Sequence, residues 1–187
     1  MTTLSEWVPA FNGEQTLGEA YAAMPGDDAS VVPWYVRLLE NPASPVALPG
    51  AIDLRGHDCV HITLGRGTTS ADEAFVLGVT MGSTGRAGGW QRDLFTLAAR
   101  HVYRGPWRLT DSDVLLFDMA VEFSQHQGIQ PLNTVRWDEL WDEPLQKIRS
   151  SLGIRESALL TFYETERLMW PDSVASSRLP TAAYPHE

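Results

Sequence analysis

The chain has 187 residues, 43% of them hydrophobic, which is enough for one domain with its own core and short for two. A formal net charge of −10 removes nucleic acid from the expected partners, because binding phosphate needs a positive footprint. The single cysteine, Cys59, excludes an internal disulfide and a thiolate cluster, so a metal would have to be held by imidazole and carboxylate.

In chain order, a first helix is expected over residues 16–24, closed by Pro25 and Gly26. Up to Met24 there is no arginine, no basic start and no long apolar run, so the segment reads as neither a secretory signal nor a transit peptide. No stretch reaches the roughly 18 apolar residues of a membrane span. The expectation is a cytosolic bacterial protein, with membrane contact at most peripheral to the inner membrane.

Pro33 suits the first turn of a second helix through Trp34, Leu38 and Leu39, stopped by Pro42. Residues 41–50 read as a proline-rich loop, in which 46–48 is the only strand-like run. A third helix over 53–64 is ended by Gly65, a good left-handed terminator. Ser70 and Glu73 have the spacing of a capping box and open a fourth helix to about residue 81. The short connection at 66–69 favours an antiparallel helical hairpin.

The glycine-rich stretch 82–89 breaks the chain before a helix at 90–103. Thr110 caps the next helix, which carries Val114, Leu115, Phe117, Met119, Val121 and Phe123 and ends at Gly128. Its apolar positions go most of the way round, which predicts a central place in the core. A helix over 135–152 kinked at Pro144 and another over 155–169 follow. The whole reads as an all-α, single-domain bundle of about seven helices over 1–170, with a flexible tail from Pro171 to the end, 171–187. Charge is uneven within it. Arg86, Arg92, Arg100, Arg104 and Arg108 face one acid, Asp93, in a span that reads equally as a solvated surface or as a site for an anion or lipid headgroup.

The chemistry concentrates between residues 57 and 73. His57 and His61 stand one helical turn apart and face the same way, with Asp58 on the flank of that face. An antiparallel hairpin would return Glu73 towards them, making two imidazoles and two carboxylates that suit zinc, and also iron or manganese, better than magnesium. Innocent roles compete with this one. Glu73 could serve only the capping box, and Asp58 only the helix dipole. His101, His126 and His186 lack partners at ligand spacing and read as surface or core-edge residues, Cys59 as a small core residue. No nucleophile elbow, Walker loop or dinucleotide fingerprint is present, and Gly65-Arg66-Gly67 follows a helix rather than a strand.

The stretch HDCVHITLGRGTTSADE, from His57 to Glu73, resembles the H-D-x-x-H-x11-E signature of the Coq-four family of coenzyme Q (ubiquinone) biosynthesis proteins. RWDELWDEPLQKIRSSLGI, from Arg136 to Ile154, is similar to that family's W-[ED]-x5-P-L ending, and TLGEAYAAM, from Thr16 to Met24, to an early L-G-x-A-Y segment. The resemblance implies an all-helical fold with a divalent metal at His57, Asp58, His61 and Glu73, zinc first, with iron, manganese or magnesium as alternatives. It also implies a cavity for a prenylated aromatic lipid or isoprenoid, homodimers, and association with membrane or with other quinone-biosynthesis enzymes. The implied reaction is oxidative removal of the C1 carboxyl from a prenylated hydroxybenzoate, with Asp58 and Glu73 as the catalytic acids or bases. The other class of function is a carrier or scaffold that presents the prenyl lipid without turnover.

Overall fold

The computed structural model describes residues 7–25, 52–85 and 109–181. The expected helices at 33–39 and 90–103, the loop at 41–50, the arginine-rich span 86–108, His101 and His186 lie outside them. Among the described residues the protein is all-α, with seven α-helices and no strand. They are α1 (Leu17–Ala22), α2 (Leu54–Leu64), α3 (Ser70–Ser83), α4 (Asp111–Gln127), α5 (Leu145–Ser151), α6 (Glu156–Met169) and α7 (Val174–Ser177). Two 3-10 turns, Leu132–Thr134 and Trp137–Leu140, stand between α4 and α5.

Side-chain caps account for most of these starts. Thr16 with Glu19, Thr69 with Asp72 and Thr110 with Asp113 form reciprocal capping boxes, and Asp53 accepts the N–H of Gly56 at the head of α2. Gly65 ends α2 with φ +71°, a conformation that excludes most other residues.

The box that opens α3 differs from the one expected. Thr69 and Asp72 form it, not Ser70 and Glu73, because Thr-Thr-Ser-Ala-Asp-Glu offers two overlapping frames and the upstream one is used. Glu73 is thereby released from the cap. The helix also runs past the expected residue 81 to Ser83, taking Gly82 into its body.

That glycine has a packing role. A Cβ on Gly78 would stand 2.5 Å from the Phe117 carbonyl oxygen, and one on Gly82 2.6 Å from that of Val121, so the two glycines let α3 lie against the backbone of α4. Ser124 on α4 donates to the Val79 carbonyl at 2.9 Å across this contact. We expect Gly78→Ala to destabilise the fold by about 1–3 kcal/mol through overpacking, despite alanine's better helix propensity, as measured by urea unfolding. A stability equal to or above the parent's would show that the two helices can separate freely.

α4 is one-faced rather than central. Val114, Leu116, Phe117, Ala120, Val121 and Ser124 are buried, whereas Leu115 is 47% exposed. The apolar excess read from sequence includes that solvent-facing leucine. Phe123 packs on Phe75 and Phe162, so with buried Phe117 it belongs to the core.

The expected helix over 135–152 is replaced by the 3-10 turn Trp137–Leu140 and the short α5, whose N-cap is Pro144. Proline fits a helix start better than an interior, where it would remove a hydrogen bond. The peptide before α1 and the first turn of α1 are stitched to this region: Leu145 donates to Gln15, Leu17 to Glu143 and Gly18 to Trp141. The first part of the expected tail is packed too. Ala175, Ser176 and Leu179 are buried around α7, held by a Ser173 cap and by Arg167 on the Leu179 and Pro180 carbonyls.

Candidate metal site

α2 carries His57 and His61 on one face, one turn apart, and meets α3 over a short stretch near the start of that helix. With Asp72 committed to the cap, the next residue, Glu73, reaches the two imidazoles. His57 Nε2 lies 3.0 Å from Glu73 Oε2 and 3.0 Å from His61 Nε2, and His61 Nε2 lies 3.3 Å from Glu73 Oε1. The three residues offer donor atoms that all fall within 4.8 Å of one another. His61 is buried, while His57 and Glu73 retain some access to solvent.

The hydrogen bonding assigns a protonation pattern. The Gly67 carbonyl lies 2.6 Å from His61 Nδ1 and can only accept, so Nδ1 carries the proton. In neutral His61, Nε2 is then a lone pair aimed at His57 and Glu73. Two imidazole nitrogens and a carboxylate thus converge with few protons to share among them, and a cation satisfies them together. The donor set fits a divalent metal of the zinc, iron or manganese type, and magnesium less well because of its preference for oxygen. A second-layer bond from the far nitrogen of a ligating histidine to a carbonyl is the usual accompaniment of such a site.

Burial opposes ionisation of Glu73, but the imidazoles of His61 and His57, when protonated, outweigh it and hold the carboxyl well below the ordinary range. Asp58 behaves differently. Burial raises its carboxyl above the usual value, against the opposing pull of His57 and His61. Asp58 is not one of the three convergent ligands: its Oδ2 accepts from the Tyr21 hydroxyl at 3.3 Å. The four residues singled out from sequence therefore divide into three that converge and one beside them, tied to α1.

Tyr21 was not among the sequence candidates. Its ring meets that of Trp141 at a tilt of 53°, with 5.1 Å between centroids, and the Arg55 guanidinium sits over Trp141 at 4.5 Å while pairing with Asp138. Its signal was available only as part of the early L-G-x-A-Y match. Cys59 is fully buried, and burial with neighbouring Asp58 pushes its thiol up to about 12, so it is an inert core residue. His126 is exposed and bonded to the Glu122 carbonyl.

Sequence reading also missed the buried ions behind the site. Arg66 is wholly buried between the rings of Phe75 and Tyr163, at 3.9 and 4.5 Å, and forms a two-pronged pair with Glu166. Arg149, also buried, donates to the Thr63 carbonyl and to Glu156 and lies over Phe11. A signal existed for Glu166, which follows Leu159 and Tyr163 at helical spacing and so puts a carboxylate on the buried stripe of α6.

Comparison of the chain with protein-family models, with curated proteins and with solved structures finds no match. What the site can do therefore rests on its own geometry: His57, His61 and Glu73 could hold a metal ion, beside the Asp58 carboxylate and the Tyr21 phenol.

Proposed function

We propose that the chain is a metal-dependent quinone-biosynthesis enzyme that removes the C1 carboxyl of a prenylated hydroxybenzoate-type precursor and leaves a hydroxyl in its place. The observation that carries this reading is the convergence of His57, His61 and Glu73, at the spacing of the signature they resemble. A three-ligand set keeps coordination positions open for substrate, as catalytic sites do, whereas a structural zinc site is closed by four. Further support comes from α1 and from the 141–145 region, whose backbones are bonded together and which bring Tyr21 to Asp58. The three stretches that carry the resemblance thus meet in space.

In balance, the aromatic acid, dioxygen and a two-electron donor with two protons yield the phenol, carbon dioxide and water. A bound metal would supply Lewis-acid or redox chemistry at the ring substituents. His57, His61 and Glu73 hold it, and the Gly67 carbonyl keeps His61 in the ligating tautomer. Asp58, with Tyr21 as its hydrogen-bond donor, is placed to hold or move a proton at its carboxylate. No helix among the described residues is long and apolar enough to cross a membrane. A homodimer and docking to other enzymes of quinone synthesis belong to the same reading.

The test is incubation of zinc-, iron- and manganese-loaded protein with a prenylated hydroxybenzoate carrying a labelled carboxyl, under oxygen with a reductant. Labelled carbon dioxide and a hydroxylated ring are expected. Absence of release with every metal, together with stoichiometric lipid binding, would replace the enzyme by a carrier or scaffold. Asp58→Asn separates its role from that of the ligands: metal content should stay near the parent's while turnover falls about 100-fold or more. Loss of metal in that variant would make Asp58 a fourth ligand.

A further inference from the structure

We propose that the buried Arg66–Glu166 ion pair, closed by Ser176 of the C-terminal segment, is a positioning device for the metal ligands, setting His61 through the Gly65-Arg66-Gly67 turn and Glu73 through Asp72. The proposal rests on the metal-site reading for its consequence, but the device itself is a matter of hydrogen bonds within the protein.

Both ends of His61 are bound by this turn. The Arg66 N–H donates to the His61 carbonyl at 2.9 Å, and the Gly67 carbonyl accepts from His61 Nδ1. Between these two bonds the Arg66 side chain enters the core, where Glu166 of α6 receives it with two hydrogen bonds and Ser176 Oγ donates to Glu166 Oε1 at 3.1 Å. Asp72 Oδ1 lies 3.6 Å from the same guanidinium, while its other oxygen accepts from the Thr69 backbone and hydroxyl. One buried cation thus touches the residue that sets the start of α3, directly before Glu73.

The turn has little room to relax. A Cβ on Gly67 would meet the Trp7 carbonyl oxygen at 2.6 Å, and one on Gly65 the Phe11 ring at 2.5 Å. The N-terminal segment therefore packs against the turn, and α6 and α7 hold its arginine from within. A fully buried ion pair is a poor source of stability, since apolar residues of like volume often serve as well or better. Its value lies in direction: the charges can be satisfied in one arrangement, and that arrangement sets where the Gly67 carbonyl points.

The experiment compares the full-length parent with Arg66→Met/Glu166→Met, which removes both charges, and with Glu166→Gln, which keeps the shape. Nitrogen NMR of labelled histidine in the metal-free protein reads the tautomer, and zinc titration against a chelator reads affinity. The parent should show His61 protonated at Nδ1. The double variant should fold, show a mixture of His61 tautomers and bind zinc about 10- to 100-fold more weakly, whereas Glu166→Gln should fall between it and the parent. A folded double variant with the parent's tautomer and affinity would overturn the device. So would a double variant that fails to fold if Glu166→Gln folds with parental tautomer and affinity. A parent with locked His61 but no zinc binding would leave the device standing and remove the metal reading instead.

Discussion

Replacing Glu166 with leucine while Arg66 remains should lower the unfolding free energy by about 3–5 kcal/mol. Arg66 is fully buried, and Glu166, ahead of Asp72, keeps its guanidinium charged against the desolvation that burial imposes. With Glu166 gone, the nearest remaining carboxylate is Asp72 at 3.6 Å, already engaged in the cap of α3. The buried cation would then be under-compensated, its two rings notwithstanding. Removing Arg66 together with Glu166 should restore much of the loss, so a double-mutant cycle in urea should give a strong favourable coupling. Additive single effects would mean that the two side chains do not act as a pair.

The second large effect is on the metal. His61→Ala should reduce bound metal to background, while costing about 1–3 kcal/mol from the Gly67 carbonyl left without its donor and from the small cavity. Three ligands would become two, and the surviving His57 and Glu73 are the more solvent-accessible members of the set. Elemental analysis of parent and variant after identical loading, with circular dichroism to show that the helices persist, provides the measurement. Equal metal content in both proteins would remove the site as described. Partial retention would point instead to Asp58 entering as a replacement ligand from its neighbouring place on α2.

Local pattern alone determined much of this protein. The i, i+4 pair His57 and His61, the stop at Gly65, the start at Thr110, the stop at Gly128 and the span of α6 follow from caps and periodicity, which depend on residues within one or two turns. So did the all-helical class. Choices between equal local options needed the tertiary structure. Thr69 with Asp72 and Ser70 with Glu73 were both good capping frames, and the frame that places Asp72 beside Arg66 and Glu73 beside the histidines is the one adopted. Pro144 could kink or begin a helix, and its neighbours' hydrogen bonds to the peptide before α1 accompany a beginning.

Which long-range partners meet had no local trace. Arg66 and Glu166 are separated by 100 positions, as Tyr21 and Asp58 are by 37, and nothing in the spacing of either residue names the other. His57, His61 and Glu73 were legible as candidates because two of them share one helix face and the third follows a short turn. That they converge, that Asp58 stands aside on Tyr21, and that an ion pair lies behind the turn were decided by packing. Burial makes each unpaired charge or carbonyl costly, so the fold must bring its partner from wherever in the chain it lies.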